Sequence, residues 1–304
     1  MRRALALVAV ALLVVVAVVV LQRTVFGKER ATERGPTGSP DWQHALQVVA
    51  TLKASPPNGP VVYLLGGSAA RESTISDKSW AAQVRRLGGL RARTYNLGSS
   101  QQTYAQDIVI VNQLPVLPGV VLIGVDLGRY VRVPLKGVTP GGEQPDANTG
   151  AQAGARLPTR AYNQHHYSVR HILTNAQKRQ CVDRWATSGY RFFEKNFAGN
   201  AAQLDQLIAT CQTRGLHPVL LELPLNQPII GHAFDAACKT YRDSCRALAK
   251  KYGIPNIDFV DKLHLVNGDF YDLFHLIEPG RVKWQLRLSK TVVSLLARYG
   301  MESP

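Results

Sequence analysis

The chain has 304 residues, 45% of them hydrophobic, with 36 Lys and Arg against 21 Asp and Glu, a formal charge of +15. That length suits one domain or two small ones, and that hydrophobicity excludes a disordered polycation. The excess charge invites a nucleic-acid reading, but the first 21 residues point elsewhere.

Arg2 and Arg3 precede an uncharged run, residues 4–21, made only of Ala, Val and Leu. As a helix it rises about 27 Å, near the thickness of a hydrocarbon core. Valine is a poor helix former in water, but in lipid the backbone must satisfy its own hydrogen bonds and the helix wins. A run with no polar face does not suit a core helix of a soluble domain. The exit, Val18-Val19-Val20-Leu21-Gln22-Arg23, lacks the small residues of a cleavage site. No Cys follows, which excludes a lipoprotein, and Arg2-Arg3 lacks the rest of a twin-arginine signal. The expectation is a cytoplasmic tip and transmembrane anchor over 1–21, with the rest of the chain outside the cell membrane; a cleaved signal is the alternative.

Residues 22–40 are polar and end in Gly35-Pro36-Thr37-Gly38-Ser39-Pro40, which reads as a linker. Residues 1–40 carry six basic and two acidic side chains, a net +4, which leaves +11 for the remainder. Outside a membrane, a basic domain would be drawn to anionic lipid headgroups, teichoic acids or acidic glycans. A basic surface that serves only solubility is the equal alternative. No nucleic-acid partner is expected.

The four cysteines, Cys181, Cys211, Cys238 and Cys245, form no C-x-x-C pair and have no His cluster beside them, so no metal is expected. Outside the membrane an even count permits two disulfides. Cys238 and Cys245 lie seven apart in a helical stretch, about 10.5 Å along its axis, so any disulfides would join each to Cys181 or Cys211. Four free thiols are the alternative.

Beyond the linker, strand and helix alternate. The run 60–65 is apolar and ends at Gly66-Gly67, as a buried parallel strand does. Helix is expected over 77–87, strand over 93–97, helix over 103–114 and strand over 119–125. A fourth strand over 218–223 precedes a helix over 233–252, a fifth over 254–260 follows, and a helix over 278–299 closes the chain. Interleaved strands and helices imply an α/β domain over 41–304: a three-layer, flavodoxin-like parallel sheet with helices on both faces. Gly and Pro crowd residues 132–164, which read as a loop insertion.

In an open parallel sheet, ligands bind at the C-terminal ends of the strands. Gly66-Gly67-Ser68 follows the first, Asn96-Leu97-Gly98-Ser99 the second and Gly124-Val125-Asp126 the third. Asp272-Leu273-Phe274-His275 precedes the last helix, and an Asp three residues before a His can orient the imidazole as a base. Asp261 and His264 have the same spacing, but only His275 has a glycine, Gly280, five residues on; position 269 is Asp.

This ordered set resembles the SGNH/GDSL hydrolase superfamily over roughly 60–299. The resemblance implies Ser68 as nucleophile, His275 as base and Asp272 as its orienting carboxylate. It implies an oxyanion hole of the Ser68 and Gly98 N–H groups, with position 126 as third member. Two positions depart from the family pattern. Gly67 stands where Asp usually precedes the Ser, and Asp126 where Asn is usual; an ionised Asp cannot donate to an oxyanion, so either Asp126 is protonated, another group supplies the third donor, or the activity is altered. A membrane-anchored, extracytoplasmic member also resembles, in layout, the envelope proteins of teichoic-acid D-alanylation and alginate O-acetylation. The resemblance implies no cofactor. It implies a serine esterase acting on acyl esters of an envelope glycan or lipid. The alternatives are an O-acyltransferase on an envelope polysaccharide, fed by a membrane acyl-donor protein, and an inert binding or scaffold protein with an eroded site at Asp126.

Overall fold

Five parallel strands form one sheet in the order β2-β1-β3-β4-β5, where β1 is Val61–Leu65, β2 Arg93–Asn96, β3 Gly119–Val125, β4 His217–Glu222 and β5 Asn256–Ile257. The computed structural model describes residues 39–88, 92–134, 165–259 and 262–301, all within one unit, Gly38–Pro304. The expected anchor, all but the end of the linker, and all but the edges of the expected insertion lie outside the described residues. Among the described residues, no helix is long and apolar enough to cross a membrane.

The central strands β1 and β3 are apolar throughout because both faces are covered. Val61, Tyr63 and Leu65 of β1 point into one core, shared with helices α1 (Pro40–Ala54), α4 (Tyr104–Gln113), α7 (Tyr190–Thr213) and α9 (Asp235–Tyr252). Val62 and Leu64 point into the other, shared with α3 (Asp77–Gly88) and α10 (Glu278–Arg298). The period-two alternation of a strand thus splits one apolar run between two layers. Short helices α2 (Ser68–Arg71) and α5 (Leu127–Tyr130) follow β1 and β3 directly, and α8 (Gln227–Ile230) follows β4 after a short loop.

The structure departs from expectation at four places. Ser39 and Pro40 belong to α1 rather than the linker: the Ser39 hydroxyl accepts from the Trp42 N–H and Pro40 opens the helix. β5 has two residues in place of seven. Helix α6 (Asn175–Arg184), a π-helical turn (Trp185–Gly189) and α7 form a long helical run with no counterpart in the sequence reading. In α6 only Lys178 is buried, and the buried stripe of α7 includes Asn196 and Asn200, so neither presents a clean apolar face. Finally, all four cysteines are free thiols, which corrects the disulfide expectation. Cys211, Cys238 and Cys245 sit in the apolar core as small hydrophobes, and α9 is continuous through Cys238 and Cys245.

Candidate active site

Ser68 opens α2, two residues beyond Gly66. A Cβ on Gly66 would lie 2.6 Å from the Ala70 Cβ, so this tight turn from strand to helix requires glycine. The turn leaves the Ser68 hydroxyl at the C-terminal edge of the sheet. There His275 Nε2 lies 2.8 Å from Ser68 Oγ, and His275 Nδ1 donates to Asp272 Oδ2 at 2.7 Å. That donation leaves Nε2 as an acceptor for the hydroxyl proton. Asp272 Oδ1 accepts from the N–H groups of Phe274 and His275, each at 2.9 Å. Burial alone would raise the Asp272 pKa, but His275 and these hydrogen bonds hold the carboxyl below its ordinary value.

The loop that carries this pair closes on itself. Tyr271 N–H donates to His275 O at 2.8 Å and Ile277 N–H to Asp269 O at 3.0 Å. Tyr167 covers the imidazole, its ring centroid 4.5 Å from that of His275 and 4.3 Å from that of Tyr271. The segment bearing Tyr167 is pinned from beneath. Its carbonyl accepts from Arg281, and the His166 N–H donates to Glu72 Oε1 at 2.8 Å. Glu72 also pairs with Arg71 and Arg281, and Arg71 with Asp41, so four buried charges sit directly under α2. None of these residues was singled out from the sequence. Their identity as core charges depends on contacts up to 209 positions apart.

Asp126 lines the same cleft. Its side chain caps α5, Oδ1 accepting from the Arg129 N–H at 3.1 Å. Burial raises its pKa, opposed chiefly by the Arg129 charge. The Arg129 guanidinium in turn donates to Asp107 Oδ2 at 2.6 Å and Gly124 O at 2.8 Å. Gly98, the expected second oxyanion donor, follows β2. It is buried off the cleft, and its N–H donates to Asn96 Oδ1 at 3.1 Å. Asn96 is itself spent on α2, its amide donating to the Ala70 carbonyl and the Thr74 hydroxyl. The second block therefore braces the Ser68 turn. The competing His264 is exposed and lies away from the cleft, and Asp261 is outside the described residues.

The cleft holds about 240 Å³. Gln101 and Gln102 line it near Ser68, and Val131, Trp185 and Phe274 give it an apolar side. Gln101 adopts φ +62°, the left-handed region that a residue with a Cβ enters at a cost, as happens at binding sites. Trp185 stands on the π-helical turn, packed 4.3 Å from the Phe234 ring. A Cβ on Gly189 would lie 2.8 Å from its indole Cδ1.

No family model and no curated protein matches the chain. Among solved structures, it is similar to an alpha/beta hydrolase enzyme from the metagenome of Lake Arreo, Spain. The two are 14% identical, over 78% of this chain and 96% of that one, with a TM-score of 0.42. A putative lipolytic protein of the G-D-S-L family from Desulfitobacterium hafniense DCB-2 is 13% identical over 77% and 98%, at 0.38. A mutant of the esterase AlinE4 is 15% identical over 80% and 98%, at 0.33. Likenesses this distant bear on neither chemistry nor substrate.

Proposed function

We propose that the chain is a serine esterase, with Ser68 as nucleophile, His275 as general base and Asp272 as its orienting carboxylate. The observation that carries the reading is the unbroken series Ser68 Oγ, His275 Nε2, His275 Nδ1 and Asp272 Oδ2 at 2.8 and 2.7 Å, opening on a cleft at the strand ends. In this reading His275 takes the hydroxyl proton as Oγ attacks the acyl carbonyl carbon. Asp272 stabilises the imidazolium, which then protonates the departing alcohol. Water adds to the acyl-serine with His275 again as base, the Ser68 oxygen leaves with the proton, and a carboxylic acid is released. In this reading the Ser68 N–H heads the oxyanion site.

The substrate we infer is an acyl ester of a cell-envelope glycan or lipid, handled outside the cytoplasmic membrane by a domain tethered through residues 4–21. The apolar N-terminal run and the +11 charge beyond residue 40 support that placement. The cleft volume of about 240 Å³ favours a short acyl group. The second reading is an O-acyltransferase, in which a sugar hydroxyl replaces water. It draws on Asp126, a carboxylate on the cleft wall able to accept from an acceptor hydroxyl. Turnover of short-chain aryl esters by the full chain, lost in Ser68→Ala, tests the esterase. Turnover only when a sugar acceptor is added would favour the transferase, and a Ser68→Ala rate equal to wild type would refute both.

A further inference from the structure

Lys178 is 1% exposed, yet among the described residues no carboxylate lies within ion-pair distance of it. Burying an ammonium without a counter-ion is costly. Burial pulls its pKa down, while the Asp272 charge pulls it up. Its Nζ donates to Asn267 Oδ1 and to Phe270 O, both at 2.8 Å, and to Asn267 O at 3.1 Å. All three partners are acceptors, so the set is complete only for the three N–H groups of the charged form.

Those oxygens belong to the turn that leads into Asp272. Asn226, fully buried after β4, grips the next residues. Its amide donates to the same Asn267 Oδ1 at 2.9 Å and to Asp272 O at 2.8 Å, and its N–H to Leu273 O at 2.9 Å. Leu173 N–H donates to Tyr271 O at 3.2 Å from the segment before α6. The turn is thus held at residue 267 and from 270 to 273, and Lys178 contributes an ammonium to that grip. Lys283 touches the same loop differently, pairing with Asp269 from a partly exposed position.

We infer that Lys178 is a positioning residue: its three hydrogen bonds fix the 267–273 turn so that Asp272 and His275 meet Ser68 in register. The inference rests on the esterase reading for its kinetic consequence, but not for its geometric one. The His275 Nδ1–H held by Asp272 gives a downfield proton NMR resonance, assigned in the full chain by its loss in His275→Gln. In Lys178→Met this resonance should vanish or broaden, and kcat on a short-chain aryl ester should fall about 10- to 100-fold with KM within about twofold. Lys239→Ala, an exposed lysine on α9 paired only with Asp243, should leave both unchanged. Should Lys178→Met not fold, Lys178→Gln, which keeps two N–H donors, is read the same way. A resonance that persists unchanged in the Lys178 variant, or is absent from wild type, overturns the assignment. So does a loss of thermal stability with kcat and resonance intact. A wild type with the resonance but no turnover would defeat the esterase reading and leave Lys178 to be judged on the resonance.

Discussion

His275 and Ser68 lie 207 positions apart in the chain, yet Nε2 and Oγ stand 2.8 Å from each other. Two local devices make this possible. The glycine turn after β1 delivers the hydroxyl to the sheet edge, and the hydrogen-bonded loop 269–277 delivers the imidazole from the other end of the chain.

Asp272→Asn should keep the loop, because the amide oxygen can still accept from Phe274 and His275, but it removes the charge that favours imidazolium. Turnover should fall about 10³- to 10⁴-fold. The Asp272 pKa is depressed in the fold, so its contribution to stability is present above the ordinary carboxylate value and lost as pH falls through the folded one. Urea unfolding from pH 7 to pH 2 should therefore show a flatter acid decline in Asp272→Asn than in wild type. An equal decline would mean that the carboxylate is not held by His275.

Asp126→Asn keeps an equally good helix cap, so the fold should survive. Here the folded pKa is raised, and the sign reverses: burying the carboxyl costs nothing below its unfolded value, and the cost grows as pH rises through the folded one. The stability of Asp126→Asn relative to wild type should increase with pH above about 4. Its ester turnover should likewise gain on wild type, because a carboxylate beside the oxyanion opposes developing charge. Thermal melts and rates across pH measure both. A large loss of activity at every pH with folding intact would instead mark Asp126 as an essential carboxylate, to the benefit of the transferase.

Strands β1, β3 and β4 are legible in the sequence because each centres on a short apolar run closed by Gly or a polar residue, as Gly119–Val125 is before Asp126. Ser68, Asp272 and His275 stand at strand and loop ends in the sequence, and the fold brings them together. The supports were not. Arg71, Glu72 and Arg281 look like surface charges until tertiary contacts bury them. That the Asn96 side chain folds back onto the Gly98 N–H is a tertiary detail the sequence does not show. Lys178 sits in a mostly polar helix, and nothing in the sequence marks this lysine as the residue that is buried.

Gly189→Ala should push the Trp185 ring off the cleft wall, because the added methyl would lie 2.8 Å from indole Cδ1 and the Phe234 ring confines the other side. Overpacking of this kind costs about 1–3 kcal/mol. KM for short-chain esters should rise severalfold with kcat little changed, and Trp fluorescence should shift. Unaltered KM would remove Trp185 from the substrate-contacting wall.

On the esterase reading, Ser68 is an activated nucleophile. A fluorophosphonate probe reacts with a serine hydroxyl only where a base removes its proton and the site accepts a tetrahedral adduct. Incubated with the full chain and mapped by peptide mass spectrometry, the probe should attach to Ser68, and Ser68→Ala and His275→Ala should prevent labelling. Inertness of the folded wild-type chain, or a label on another serine that persists in Ser68→Ala, would contradict the account.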